Sequence, residues 1–174
     1  KSLNAAMAAI GDDYDIALVL DADNIMAYDF LEKINQAFES GFTAVQGHRM
    51  AKNMNNSMAV LDSISEEINN HIFRKGHRVA GLASGLIGSG MAFEYSMFKK
   101  RMSEIKAIGG FDKELELTLL RDEIKIEYLD DAEVLDEKVQ DKVVFENQRK
   151  RWLAAQFIYF RRFALDGVVR FVTG

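Results

Sequence analysis

The chain of 174 residues has no cysteine, no proline, one tryptophan and three histidines. Without cysteine there are no disulfides, no thiolate metal sites and no thiol nucleophile, and nothing follows about redox compartment. Average usage would supply about nine prolines, and in their absence the helix stops fall on glycine and aspartate. Positive charge is in deficit, 22 Lys and Arg against 27 Asp and Glu for a net charge of -5, which argues against a nucleic-acid binder held by bulk charge. No window holds the 18 or more uncharged apolar residues of a membrane helix, and no signal peptide precedes the first predicted element. The residues that are present, 48% hydrophobic and 28% charged, describe a soluble globular domain with a sizeable core. No repeat, linker or low-complexity tract divides it, so a single domain over 1–174 is expected.

Ser2 to Ile10 has helix-forming composition and stops at Gly11-Asp12-Asp13. Ile16 to Leu20 is a continuous apolar run between acids, the pattern of a central strand buried on both faces. Tyr28 to Glu39 carries Phe30, Leu31, Ile34 and Phe38 at helical spacing with Gly41 as its stop, and Phe42 to Gln46 reads as the next strand. Strand, helix, strand in this cadence predicts an α/β domain with a parallel sheet. Asn53 to His71 predicts an amphipathic helix with Met58, Leu61, Ile64 and Ile68 inward, followed by a loop over Arg74 to Leu86 with a strand at Val79 to Leu82. Beyond the glycine-rich 85–90, helices are expected over Phe93 to Ile105, ending at Gly109-Gly110, and over Glu114 to Asp122. Short strands at Lys125 to Leu129 and Ala132 to Leu135 and a long helix over Val143 to Phe163 complete the reading.

Asp21-Ala22-Asp23 follows the first strand directly. In an open α/β sheet ligands bind beyond the carboxyl ends of strands, where two hard oxygen donors suit Mg2+ or Mn2+ bridged to a nucleotide's phosphates. The same residues also suit an acidic turn capping the next helix. The second feature, Gln148-Arg149-Lys150-Arg151-Trp152, contains the only tryptophan and fits Q-x-x-R-W. On a helix Gln148, Arg151 and Trp152 share one face, where a guanidinium pairs with diphosphate, an amide holds a hydroxyl and an indole stacks on a sugar or base. A plain basic helix surface anchored by Trp152 is the alternative. His48, His71 and His77 show no metal-ligand spacing and read as surface or locally bonded residues. The stretch from Asp112 to Asp141, with twelve acids against four bases, reads mostly as a solvated face.

In this order and spacing, the two features resemble the family-two glycosyltransferases of the cellulose-, chitin- and hyaluronan-synthase type. Ala17 to Asp23 (ALVLDAD) is similar to the family's strand and metal turn, Val45-Gln46-Gly47 to its following strand, and Gly88-Ser89-Gly90 to its acceptor-site loop. Gly109-Gly110-Phe111-Asp112 resembles its GGFD segment, and the Lys1 to Ala5 stretch its K-x-x-A-L-N. The resemblance implies a GT-A, nucleotide-diphospho-sugar transferase-like (Rossmann-like) fold. It also implies inverting transfer of sugar from a nucleoside-diphosphate sugar, a UDP-sugar in first place, to an acceptor hydroxyl on a saccharide or lipid-linked acceptor in polysaccharide or glycoconjugate synthesis. Asp21 and Asp23 would meet the metal and diphosphate, and Gln148, Arg151 and Trp152 the donor phosphates and acceptor sugar. The family's base lies in a T-E-D-L-E-L segment. Here GGFD runs straight into Lys113-Glu114-Leu115-Glu116-Leu117, which puts Glu114 in the base register with Asp112 as its rival.

The family's domain opens with a nucleobase-binding strand and helix that nothing before Lys1 supplies, so an N-terminally incomplete catalytic domain that binds donor poorly by itself is expected. Gln148 to Arg170 carries six bases against Asp166 alone, with Phe157, Ile158, Phe160, Phe163 and Leu165 among them. A basic amphipathic helix over about 143–170 suits an anionic membrane surface, or else core packing. In the parent protein this places the domain at the cytoplasmic face of a membrane. Two rival functions remain. A haloacid-dehalogenase-type phosphatase also places D-x-D after a strand, with Asp130-Asp131 imitating its later acidic pair, but Asn24-Ile25 stands where it needs threonine, and Gln148 to Trp152 is left unexplained. A degenerate, non-catalytic scaffold domain is the other.

Overall fold

The computed structural model describes residues 2–105 and 110–173, and Lys1 and Gly109, which belong to two of the motifs above, lie outside the described residues. Helix α1 (Ser2–Ile10) leads to β1 (Ile16–Val19), the two-residue β2 (Ile25–Met26), α2 (Phe30–Glu39) and β3 (Ala44–Ala51). Gly41 ends α2 as its position suggests: it takes φ +93°, the left-handed region open to glycine, and its N–H donates to Phe38 O. Helix α3 (Ser57–Asn69) starts at Asn56, whose side chain accepts from Ala59 N–H at 2.8 Å. It continues through a π-helical stretch (Asn70–Gly76) into α4 (His77–Val79). Of the loop predicted over Arg74 to Leu86, residues 74–81 are therefore helix and turn and 82–86 are loop, and no strand forms at Val79 to Leu82. Strand β4 (Met91–Glu94), helices α5 (Tyr95–Glu104) and α6 (Phe111–Arg121), strand β5 (Glu127–Asp136) and helix α7 (Lys142–Thr173) complete the chain.

The sheet is mixed rather than parallel, in the order β1-β4-β3-β5-β2. β1, β3 and β5 run in one direction, with β3 and β5 paired in parallel, and β4 is inserted antiparallel between β1 and β3. The sequence reading missed β4 because its apolar residues run straight into α5, and helix composition covered both. β1, paired only with β4, is the edge of the sheet among the described residues, and its Ile16, Ala17 and Leu18 are half-buried, not central. The two short strands expected after Lys125 are one strand, β5, whose register against β3 slips between Gly47 and His48. At that slip a Cβ on Gly47 would stand 2.9 Å from both Ala132 O and Phe30 Cε2.

Alternate residues of β3 and β4 face opposite sides. Ala44, Met91 and Phe93 meet Met7, Phe98, Met102, Leu115 and Leu119 on one side, where the rings of Phe93 and Phe98 stack at 4.9 Å. Val45, Ala92, Ala132 and Val134 meet Phe30, Ile34 and Ala37 on the other. Leu31, expected on the inner face of α2, is mainly exposed. Helix α3 inverts its expected face: Leu61, Ile64 and Ile68 are exposed, while Asp62, Ser63, Glu66, Asn70 and Arg74 on the helical continuation are buried. The acidic stretch is likewise not simply a solvated face, since Glu114, Glu116 and Glu127 are buried.

Candidate functional site at the sheet's carboxyl edge

Because β1, β3 and β5 share a direction and β4 opposes them, the segment after Val19, the segment after Ala51, the end of β5 and the loop before Met91 meet at one end of the sheet. The turn after β1 closes with Asn24 N–H on Asp21 O at 3.1 Å. Asp21 N–H donates to Asn24 Oδ1 and to Ser89 Oγ, both at 3.1 Å, and the Ser89 hydroxyl itself donates to Asn24 Oδ1. The Asn24 amide reaches Asp136 Oδ1 at 2.9 Å and Asp23 Oδ1 at 3.4 Å. The DxD turn is thereby tied to the Gly88-Ser89-Gly90 loop and to the end of β5. Gly88 and Gly90 have φ +85° and +65°, and a Cβ on Gly90 would lie 2.8 Å from Val134 Cγ1, so the loop needs both glycines. Gln46, fully buried on β3, braces it: its amide donates to Gly47 O and Ser89 O at 2.9 and 3.0 Å and accepts from Ile87 N–H at 3.1 Å.

The Asp21 carboxyl is held above its ordinary acidity constant, first by loss of water, then by Asp136, Asp23 and Asp112, with Arg49 opposing them. Four carboxylates therefore share one electrostatic neighbourhood. Of these, Asp21 and Asp23 carry the hard oxygen donors of the kind Mg2+ or Mn2+ takes. Among the described residues no three His, Asp or Glu side chains converge into a closed metal cage, so any cation at Asp21 and Asp23 takes further ligands from elsewhere.

The two candidate bases point different ways from α6. Asp112 lies against the glycine loop, its Oδ2 3.7 Å from where a Gly88 Cβ would be and its Oδ1 2.6 Å from where a Gly110 Cβ would be. Glu116, one turn on, accepts from Leu86 N–H at 2.8 Å and anchors the same loop. Glu114 faces away. It is 3% exposed, its Oε1 accepts from Arg162 Nη1 at 2.8 Å, and its Oε2 has no hydrogen-bond partner. It lines a cleft of about 390 Å³ with Arg101, Arg121 and Arg162.

Gln148, Arg151 and Trp152 stand on α7, with Trp152 40% exposed and Gln148 Oε1 buried without a partner. Among the described residues no hydrogen bond or ion pair joins them to the DxD turn. The tie at this end of α7 is Arg149, which donates to Asp62 Oδ1 at 2.8 Å and Ser65 Oγ at 3.1 Å on α3. Its guanidinium also lies 4.9 and 4.8 Å from the Phe145 and Trp152 ring centres. The chain entering α7 is fastened by asparagines the sequence reading passed over. Asn53 Oδ1 accepts from Lys138 N–H at 2.7 Å and Asn53 Nδ2 donates to Lys138 O at 3.2 Å, while Asn55 and Asn56 donate to Gln140 at 3.0 and 3.1 Å.

Beneath the turn lies a buried ion network that no motif announced. Arg49 Nε donates to Glu66 Oε1 at 2.5 Å and lies 3.6 Å from Asp136 Oδ2, and Lys138 Nζ pairs with Asp136 Oδ2 at 2.9 Å and with Glu66. Burial alone would lower the Arg49 guanidinium, but Glu66 and Asp136 hold it above its ordinary value. Arg74, also buried, is brought down to about 10 by the loss of water. Arg74 donates to Asn70 Oδ1 at 2.8 Å, and Asn70 to Arg49 O at 3.1 Å. His48, between Asp130 O and Glu67, and His77, against Ala83 O, are locally bonded and His71 is at the surface, as expected. Asp130 and Asp131 are engaged on β5 with Lys75 and Lys33, away from the DxD turn.

No helix among the described residues is long and apolar enough to cross a membrane. No curated protein matches the chain. The family described as glycosyltransferase like family 2 does match, over residues 1–155. Its match spans the DxD turn, the glycine loop and the Q-x-x-R-W segment, the mixed α/β sheet is of the GT-A-like kind, and the phosphatase and scaffold readings fall away. The chain belongs to the family-two glycosyltransferases and is a glycosyl-transferring enzyme.

Proposed function

We propose that the protein transfers a sugar, with inversion, from a uridine diphosphate sugar to a hydroxyl of a saccharide or lipid-linked acceptor, in the manner of the polysaccharide synthases. The observation that carries this reading is the convergence of the DxD turn, the Gly88-Ser89-Gly90 loop and Asp112 at one end of the sheet. Asp21 and Asp23 would hold Mg2+ or Mn2+ beside the donor's diphosphate, as hard carboxylate oxygens suit these ions. When bound, the ion supplies positive charge against the departing diphosphate. Gln148 and Arg151 add hydrogen bonds and a fixed positive charge to that leaving group, and Trp152 offers its exposed face to the acceptor sugar.

Asp112 is the proton acceptor in this reading. It stands beside the acceptor loop, whereas the Glu114 carboxylate, aligned with the family's base by sequence, is taken up by Arg162. As the acceptor oxygen bonds to the anomeric carbon, the carbon–oxygen bond to the diphosphate breaks and its electron pair leaves with the phosphate. The hydroxyl proton passes to Asp112. We infer too that α7 lies on an anionic membrane surface at the cytoplasmic face. Its Leu153, Phe157, Phe160, Leu165 and Val168 are exposed among arginines, which is the surface a headgroup layer accepts and a protein core does not.

Asp23→Asn in the full-length protein tests the site. Metal-dependent transfer from a UDP-sugar is expected to disappear while circular dichroism and melting temperature stay at wild-type values. Retained Mn2+-dependent turnover would refute the assignment.

A further inference from the structure

Helix α7 reaches the catalytic end of α6 through two side chains one turn apart. Tyr159, 2% exposed, donates its hydroxyl to Gly110 O at 3.0 Å, and Arg162 donates to Glu114 Oε1 at 2.8 Å. Gly110 is the residue from which α6 springs, and Glu114 is in its first turn. Between these two grips sits Asp112. Its carboxylate is folded back over Gly110 so closely that any side chain there would overlap Asp112 Oδ1, and its other oxygen faces Gly88. The position of this carboxylate thus depends on where the Gly110 carbonyl is held and on the rotation of the first turn of α6. Both are fixed by α7, because a buried tyrosine ring cannot follow a moving carbonyl and an ion pair to a 3%-exposed glutamate resists displacement.

We infer that Tyr159 and Arg162 are positioning residues for Asp112, and that Glu114 serves as the buried anchor for Arg162 and not as a proton acceptor. The inference rests on the reading of Asp112 as the base. It also gives the helix that carries Gln148 and Trp152 a second task, since its far half sets the geometry of the proton transfer while its near half meets donor and acceptor. A carboxylate displaced by about 1 Å loses up to about 100-fold in rate without any loss of donor contacts.

The test compares steady-state kinetics of the full-length protein with Tyr159→Phe, Arg162→Lys, Arg162→Gln and Asp112→Asn, using a UDP-sugar with Mn2+. Tyr159→Phe keeps the buried ring and removes only the hydroxyl, so kcat is expected to fall about 10- to 100-fold with the KM for donor unchanged. Arg162→Gln should fall similarly, with Arg162→Lys recovering most of the loss because the ion pair to Glu114 survives. Asp112→Asn should lose the 10² to 10⁴-fold typical of a missing general base. If Asp112→Asn is crippling and Tyr159→Phe and Arg162→Gln both turn over at wild-type rates, the positioning role is overturned and the base assignment stands. If Asp112→Asn is itself near normal, the base assignment fails. A rise in donor KM at constant kcat in the α7 variants would also overturn the inference, because it marks a donor-binding role.

Discussion

Replacing Glu66 by glutamine removes one charge from the network under the DxD turn and little else. Glu66 is 8% exposed and lies between two cations, Arg49 at 2.5 Å and Lys138, whose side chain is 2% exposed. The glutamine oxygen still accepts from Arg49, but its NH2 then faces the Lys138 ammonium, donor against donor, and Lys138 keeps only Asp136. Breaking one partner out of a buried pair costs about 3 to 5 kcal/mol, since the remaining ion stays desolvated. At about 2 to 4 °C per kcal/mol for a chain of this size, the melting temperature should drop by roughly 6 to 20 °C. The neighbouring pair Lys52–Glu137, 3.7 Å apart with side chains 35% and 48% exposed, is the internal control. Glu137→Gln should cost no more than about 1 kcal/mol. Urea denaturation followed by far-ultraviolet circular dichroism measures both. Replacing Glu66 by leucine together with Lys138 by methionine should not recover the loss, because Arg49 then keeps only Asp136, 3.6 Å away. If Glu66→Gln and Glu137→Gln are equally mild, the network does not hold α3 to the sheet and the reasoning fails.

Glu94 caps α5, accepting from the Ser96 hydroxyl and from the backbone N–H groups of Ser96 and Met97, and the Ser96 bond leads in holding its carboxyl below the usual range. The folded-state value being the lower one, this contribution is present above the unfolded value near 4.5 and is lost as pH falls through the folded value. Glu94→Ala should therefore cost about 1 kcal/mol in urea melts at pH 7 and progressively less below pH 4.5; a cost that does not change with pH would contradict this. For α7, the protein should sediment with phosphatidylserine-containing vesicles at low salt, weakly at high salt, and not with neutral vesicles. Absence of salt-sensitive binding would return α7 to protein packing.

What the sequence made legible was local. The DxD turn, the glycine loop and Gln148 to Trp152 are contiguous and carry their pattern in residue type, so each stands out as a candidate from the sequence by itself. The Gly41 stop and the long α7 were also predictable, because a left-handed glycine and a sustained helical period leave marks within a few residues. The arrangement of strands was not: the parallel reading from β1-α2-β3 had the directions right, but nothing near Met91 indicates that β4 enters between them. Arg49, Glu66, Asp136 and Lys138 carry no motif, and only the fold brings positions so far apart in the chain into one cluster. The proposal of Asp112 over Glu114 rests on helix rotation, as residues two apart on α6 face opposite sides.

Helix α3 shows why a hydrophobic stripe alone misdirects the reading. Ser57 to Gly76 carries two stripes at helical spacing, one aliphatic through Leu61, Ile64 and Ile68 and one polar through Asp62, Glu66, Asn70 and Arg74, and the polar one is inside. Burying an aliphatic side chain gains about 1.5 to 3 kcal/mol each, and these three are only half removed from water as it is. Turned the other way, the helix would bury them fully but leave Arg49, Lys138 and Arg149 without Glu66 and Asp62. An ion stripped of its partner in the interior costs several kcal/mol apiece. Arg49 and Lys138 are fixed at the sheet's end by β3 and by the Asn53 clamp, so their need for carboxylates outweighs the aliphatic gain and sets the rotation of the helix. The charges that surround the DxD turn therefore decide the packing of an element that contributes no motif to the site.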